Sequence, residues 1–437
     1  MGGYLPSTAE ERRAMLEAIG CRSIEALYAQ VPPEMRLEKL DLPEGKSELE
    51  VRRILEGLAA GNTVFPAVFR GAGAYRHYIP AIVKSVASKE TFVTAYTPYQ
   101  AELSQGVLQS IFEYQTMICA LTGLDASNAS VYDGASAAAE AVAMCRDRKR
   151  GTVLLSAAAH PMVRRTVETY CFGNGMTVKT VPTKNGFTDA EALAQMLDGT
   201  VACFYLQQPN YYGRIEAARA LGEAVHAAGG KFIMGVNPIA MALLKTPGEC
   251  GADIAVGEGQ PLGLPLSFGG PYLGFMAATS ALARKLPGRI VGETTDHQGR
   301  RAYVLTLQAR EQHIRREKAS SNVCSNQALC AMTAAVYLAA MGPRGLRQAA
   351  ERCMAHARYA AERICAVRGF DLVYPGPYFH EFVTTCPGDP ARVLEGLARR
   401  GILGGLPLED GNLLWCATEV NTKGEIDALE QALREVV

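Results

Sequence analysis

Val201-Ala-Cys-Phe-Tyr-Leu206, the helical stretch Ala217 to Ala228, and Phe232-Ile-Met-Gly-Val236 decide the fold. The two apolar runs are too short for helices and contain no polar interruption, which marks strands covered on both faces. The helix between them supplies the crossover that parallel neighbours require. Upstream the same alternation continues: strand Thr152 to Leu155, helix Met162 to Tyr170, strand Thr177 to Val181 and helix Asp189 to Leu197. Ile254 to Val256 adds a further strand downstream. The pattern predicts an α/β chain with a mostly parallel sheet wrapped by helices on both faces. In such folds the loops leaving the strand ends carry the chemistry, so His160, Gln207-Gln-Pro-Asn210 and Asn237 are candidate site residues.

The last of these loops lies within Gly251-Ala-Asp-Ile-Ala-Val-Gly-Glu-Gly-Gln-Pro-Leu-Gly-Leu-Pro-Leu-Ser-Phe-Gly-Gly-Pro-Tyr-Leu-Gly-Phe275. It is too rich in Gly and Pro for helix or strand, and a strand resumes at Leu273 to Ala278. Asp253, Glu258 and Tyr272 are its only ionisable side chains up to Thr279. A loop placed where catalysis belongs thus lacks Lys, His and Cys.

With 437 residues, 48% of them hydrophobic, the chain predicts two domains plus an extension. The 44 basic and 44 acidic residues cancel, which excludes a basic field for nucleic acid or an anionic membrane surface. The 12 Cys form no C-x-x-C pair and the 7 His are dispersed, so neither a zinc site nor a disulfide framework is suggested. No signal sequence opens the chain and no run reaches the roughly 18 apolar residues of a membrane span, so a soluble cytoplasmic protein is expected.

Residues 1–65 predict a helical arm. Thr8-Ala-Glu-Glu11 has the form of a capping box, a second short helix is expected from Ser23 to before Pro32, and Ser47 to Leu58 is a third. Residues 66–330 form the expected large domain and 331–437 a small α+β domain. Their joint is a helix from Asn326 to Met341 that Gly342-Pro343 stops. Beyond it lie a helix to Cys365, strands at Phe370 to Val373, Glu381 to Thr385 and Leu413 to Ala417, and helices Arg392 to Arg399 and Lys423 to Val437.

Three stretches carry unabsorbed polar chemistry. Thr94-Ala-Tyr-Thr-Pro-Tyr-Gln-Ala-Glu-Leu-Ser-Gln-Gly106 gathers Tyr96, Tyr99, Gln100 and Glu102 ahead of a helix. Ser130-Val-Tyr-Asp-Gly-Ala-Ser136 opens a helix of small residues, where free backbone N–H groups make a generic anion cradle. Gln308 to Lys318 mixes Arg310, Arg315, Arg316 and Lys318 with Glu311 and Glu317, as a solvated helix face does.

The order of arm, large α/β domain and small α+β domain resembles the fold type I pyridoxal-phosphate enzymes. Four stretches resemble glycine decarboxylase, the P-protein of the glycine cleavage system: Ala95 to Gly106, Tyr132-Asp-Gly-Ala-Ser136, Val256-Gly-Glu-Gly-Gln260 with Phe268-Gly-Gly-Pro-Tyr-Leu-Gly274, and Arg310 to Lys318. They fall in the order of that family's N-terminal half, and the length resembles the first subunit of its two-subunit bacterial form. The resemblance implies an oxidoreductase assembly that condenses glycine with pyridoxal phosphate, expels CO2 and passes the aminomethyl group to the lipoyl arm of the H-protein. It also implies where this chain departs from cofactor chemistry. Asp133, Gly134 and Ser136 match the phosphate cradle and His160 the ring-stacking position. Asn237 stands where the aspartate facing the pyridine nitrogen belongs, and Gln260 replaces the Schiff-base lysine.

No catalytic residue is therefore expected on this chain, which is predicted to be inactive alone. The cofactor is expected on a lysine-bearing homologous second subunit, in an α2β2 heterotetramer. Tyr96, Tyr99, Gln100, Glu102 and Tyr132 become candidates for reaching across the subunit interface, with Arg315 and Arg316 available to a phosphate or carboxylate there. Two alternatives stand beside this reading. One is a self-sufficient enzyme using a displaced lysine, Lys231 or Lys245; the other is a non-catalytic scaffold that stabilises its partner.

Overall fold

Seven strands form the central sheet: β1 (Ala126–Ser127), β2 (Thr152–Ser156), β3 (Thr177–Val181), β4 (Val201–Gln208), β5 (Lys231–Val236), β6 (Ile254–Glu258) and β7 (Gly274–Ala278). The computed structural model describes residues 6–37, 41–147, 149–308, 311–319 and 321–437. The described chain makes two compact units, Met1–Val64 and Phe65–Val437.

In the first unit, α1 (Ala9–Ala18) and α2 (Glu48–Ala60) both start on capping boxes, Thr8 with Glu11 and Ser47 with Glu50. Between them the described residues form two 3₁₀ turns, Glu25–Tyr28 and Pro33–Met35, the first in place of the second helix expected from the sequence. Four residues with no side-chain cap do not sustain more.

In the second unit the sheet order is β1-β7-β6-β5-β4-β2-β3. β7 runs antiparallel to both its neighbours, and every other pairing is parallel. Side chains alternate between two cores. Phe204, Leu206, Phe232 and Met234 face one, against the helices α3 (Ala81–Ala87) and α4 (Gln105–Thr122). Cys203, Tyr205 and Ile233 face the other, against α5 (Gly134–Met144) and α6 (Pro161–Asn174). The helix α7 (Ala218–Ala227) makes the β4–β5 crossover.

A third core lies around a three-stranded antiparallel sheet of β10 (Glu381–Thr384), β11 (Leu406–Pro407) and β12 (Leu413–Cys416), preceded in the chain by the hairpin β8 (Ile290–Thr295) and β9 (Arg301–Thr306). The helices α9 (Pro390–Ala398) and α10 (Lys423–Val436) pack on it. The long α8 (Ala328–Cys365) joins the first core to the third and breaks its helical geometry at Gly342 (φ 58°, ψ 178°), just before Pro343. By length and composition α8 alone among the described helices is apolar enough to cross a membrane, but its apolar face is shared between these two cores. The strand expected at Phe370 to Val373 reduces to one bridge, Leu372 to Thr384. Pro375 and Pro377, which follow, have no N–H to extend a ladder.

Candidate functional site

The C-terminal ends of β2, β4, β5 and β6 surround a cavity of about 660 Å³. Asp133, Gly134 and Ser136 enter it from the start of α5, His160 from the loop after β2, Asn237 from the loop after β5 and Glu258 from the end of β6. Tyr75, His380 and Glu381 close it from outside the sheet. Among the described residues that line it there is no Lys or Arg.

The chain's own carboxyl groups occupy two donors of the cradle at the start of α5. Asp133 adopts an extended backbone and its Oδ1 accepts from Ser136 N at 2.7 Å, which starts the helix. Gly134 N donates to Glu258 Oε2 at 3.0 Å. A Cβ on Gly134 would fall 2.8 Å from Glu258 N, so only glycine lets the two segments meet this closely. Glu258 Oε1 also accepts from Gln260 N and Leu273 N, both at 2.9 Å. Burial pushes the Glu258 carboxyl up to about 7, against the pull of these three N–H donors. Two carboxyl groups thus take the Gly134 and Ser136 N–H groups, which a phosphate there would need.

Gln260 is buried, and its amide is committed. Oε1 accepts from Tyr75 N at 2.9 Å, and Nε2 donates to Tyr75 O at 2.9 Å and to Leu264 O at 2.8 Å. This pins residues 71–75 beside the cavity, where Glu381 holds them again. Ala72 N donates to Glu381 Oε1 at 2.6 Å and Tyr75 Oη to Glu381 Oε2 at 2.8 Å. Burial raises the Glu381 carboxyl to about 7, opposed by those two donors. His160 Nδ1 accepts from Met162 N at 3.1 Å, so its proton lies on Nε2, 2.9 Å from Ala72 O. Desolvation lowers the His160 pKa, and its ring meets Tyr211 edge-on.

Asn237 is equally committed. Oδ1 accepts from Ile239 N (2.9 Å) and Ala240 N (3.2 Å), and Nδ2 lies 3.2 Å from His380 Nε2. Burial, with His77 nearby, holds His380 well below the usual imidazole range.

Gln207 and Pro209 also line the cavity, and Gln207 Oε1 accepts from His160 N at 2.8 Å, whereas the residues proposed to reach across the interface do not line it. Tyr96, Tyr99, Gln100 and Glu102 are exposed. Arg289, itself buried, anchors the loop that carries them: Nη2 donates to Tyr99 Oη at 2.7 Å and to Cys324 O at 3.0 Å, and the guanidinium lies 4.8 Å from the Tyr99 ring centre. Tyr132 Oη accepts from Cys324 N at 3.3 Å, so the 321–326 segment meets Tyr132 directly and Tyr99 through Arg289. Arg315 and Arg316 are exposed at the end of the short helix Gln312–Arg315, and Arg310 lies outside the described residues. Lys245 is exposed, and Lys231 pairs with Asp253 at 2.8 Å. Sequence reasoning missed Tyr75, Arg289, His380 and Glu381. It noted Glu258 only as an ionisable side chain of the loop, although its place at the end of β6 facing a helix start was a usable signal.

Pyridoxal phosphate needs a lysine for the imine, a charge partner at the pyridine nitrogen and open donors for its phosphate. The residues of this cavity supply neither the lysine nor the charge partner, and Asp133 and Glu258 take the Gly134 and Ser136 donors. The scaffold is nevertheless that of the fold type I pyridoxal-phosphate-dependent enzymes. A sphingosine-1-phosphate lyase of Burkholderia pseudomallei superposes with a TM-score of 0.67 at 15% identity over 94% of each chain. A crystal structure of glycine decarboxylase (P-protein) of the glycine cleavage system, in inhibitor-bound form, matches with a TM-score of 0.95 and 43% identity over 100% of both chains.

The family model of the glycine cleavage system P-protein matches residues 2–433, and the chain belongs to that family. It is 50% identical over 99% of both chains to the probable glycine dehydrogenase (decarboxylating) subunit 1 of Moorella thermoacetica. It is 47% identical, again over 99% of both, to the same-named protein of Desulfitobacterium hafniense.

Proposed function

We propose that this chain is the non-lysine subunit of a glycine decarboxylase whose pyridoxal phosphate is carried by a homologous, lysine-bearing second subunit. Two copies of each form an α2β2 heterotetramer in the cytoplasm. The assembled oxidoreductase decarboxylates glycine and transfers the aminomethyl group to the lipoyl arm of the H-protein. This chain holds no cofactor, and its part is to shape the substrate channel and the docking surface. The observation that carries the reading is the closed amide of Gln260, bonded on both sides to Tyr75 in the position where the family resemblance puts the imine lysine. The exposure of Tyr96, Tyr99, Gln100 and Glu102 supports their role across the interface with the second subunit, Tyr132 backing them, and Arg315 and Arg316 offer charge to a carboxylate or phosphate there.

The test is to reduce the co-purified complex and the chain alone with borohydride in the presence of pyridoxal phosphate, and to map the label by peptide mass spectrometry. The label belongs on a lysine of the second chain. A stoichiometric label on Lys231, Lys245 or any other lysine of this chain overturns the reading and favours a self-sufficient enzyme.

A further inference from the structure

His77, Cys353 and Glu419 come from three distant parts of the chain: the segment after the cavity-closing residues 71–75, the second half of α8, and the loop after β12. One ligand atom from each lies within 4.8 Å of the others. His77 Nδ1 is 2.7 Å and Cys353 Sγ 3.2 Å from Glu419 Oε2, while Glu419 Oε1 accepts from Tyr78 N at 2.7 Å. The triad is sealed from solvent, with side chains 2% exposed at His77 and 8% at Glu419 and with Cys353 fully buried.

Three buried polar atoms around this triad have no hydrogen-bond partner: His77 Nε2, Tyr337 Oη and His380 Nδ1. Tyr337 is close enough for the charges of Glu419 and Cys353 to act on its phenol, and the His380 ring centre is 6.4 Å from that of His77. Buried polar groups in folded proteins are nearly all paired, so the orphaned Tyr337 Oη beside the cluster marks a place for a further polar group, such as a metal-bound water. The donor set decides what kind. One imidazole, one thiol and one carboxylate suit a borderline-soft divalent cation rather than calcium or magnesium, which prefer oxygen alone. Tetrahedral zinc with bonds of about 2.0–2.3 Å holds its ligand atoms roughly 3.3–3.7 Å apart. Closing a tetrahedron would widen the observed 2.7 and 3.2 Å by about 0.6 and 0.3 Å and bring His77 Nδ1 and Cys353 Sγ, which lie within 4.8 Å, to a similar spacing.

We propose that His77, Cys353 and Glu419 bind one zinc-class divalent cation per chain, with a water completing the tetrahedron beside Tyr337 Oη. Binding releases one proton in total: the Cys353 thiol proton leaves to solvent, and the His77 proton moves from Nδ1 to Nε2. The ion fastens residues 71–78 to α8 and to the chain after β12, and so holds shut the segment that Gln260 and Glu381 grip at the cavity. The ligands are too far apart in sequence for any spacing motif to announce them.

The full chain, stripped with a chelator, is titrated with Zn2+ against graded competing chelator and separately with Co2+. One equivalent of zinc is expected, with an affinity that rises about tenfold per pH unit. The cobalt form should show a thiolate-to-metal charge-transfer band that Cys353→Ser abolishes and Cys386→Ser leaves intact. Tyr337→Phe should weaken zinc binding about 10- to 100-fold. Zinc binding by the unaltered chain well below one equivalent overturns the proposal whatever the variants do. So does a cobalt charge-transfer band that survives in Cys353→Ser.

Discussion

The Gln260 carboxamide brackets the backbone of Tyr75, accepting from its N–H and donating to its carbonyl at 2.9 Å each, as a neighbouring strand would. A lysine has three donors and no acceptor, so it cannot repeat the first of these bonds. Gln260→Lys would leave the Tyr75 N–H unpaired and bury an ammonium. We predict a loss of at least about 2 kcal/mol in denaturant unfolding. With pyridoxal phosphate added, the variant should show no imine absorbance between about 410 and 430 nm, because the Gly134 and Ser136 N–H groups and Asn237 remain committed elsewhere. A borohydride-trappable imine in this variant would show that one substitution revives the site.

Tyr96 and Tyr99 separate a working interface from a passive one. Tyr96 is 86% exposed, so Tyr96→Phe should change the stability of the isolated chain by less than about 0.5 kcal/mol. In the complex with the second subunit the same change is expected to lower kcat for glycine decarboxylation by more than about tenfold, the scale on which a positioned side chain acts. Unchanged turnover in both Tyr96→Phe and Tyr99→Phe would favour the purely stabilising scaffold.

The parallel sheet was legible because its strands are covered on both faces and so read as unbroken apolar runs, Val201 to Leu206 above all. The hairpin of β8 and β9 was not. Its strands, Ile-Val-Gly-Glu-Thr-Thr and Arg-Ala-Tyr-Val-Leu-Thr, carry mixed faces, and only its pairing reveals them. The site divides in the same way. Asp133, His160 and Asn237 were found from their places at strand and helix ends. Tyr75 and Glu381 were not, since their bond spans 306 residues and each is unremarked in its own neighbourhood. The Gly-Ala-Ser turn resembled an open cradle because a local reading counts N–H groups and cannot see Glu258 arriving from another strand to accept one.

Glu140 should make stability depend on pH. It is buried on α5, and desolvation pushes its carboxyl up to about 7, opposed by a hydrogen bond from Ser321. The folded chain therefore holds this proton more tightly than the unfolded chain, whose ordinary value is 4.5. The contribution is fully present below about pH 4.5 and is lost as pH rises through about 7. It amounts to about 3 kcal/mol. Glu140→Gln removes the titration while keeping the shape, so its stability relative to the parent should rise by that amount between pH 4.5 and 8. Parallel unfolding curves for the two proteins across that range would mean that Glu140 ionises normally.

Arg289 supports the 96–104 loop from beneath, and its planar fork is what that task requires. Nη2 reaches both Tyr99 Oη and Cys324 O, and Nη1 lies 3.3 Å from Asn326 Oδ1. Lysine keeps the charge but not the fork, nor the flat face that stacks on Tyr99. Arg289→Lys should cost the chain about 2 kcal/mol, the value of hydrogen bonds to a buried charged group. The loss should be local, with amide hydrogen exchange accelerating at residues 95–104 and 321–326 while β4 and β5 stay protected. If those two segments open together and turnover of the assembled enzyme falls with them, Arg289 positions the tyrosines for the partner's site. Faster exchange throughout the sheet would instead make Arg289 a general stabiliser and remove the link between this loop and catalysis.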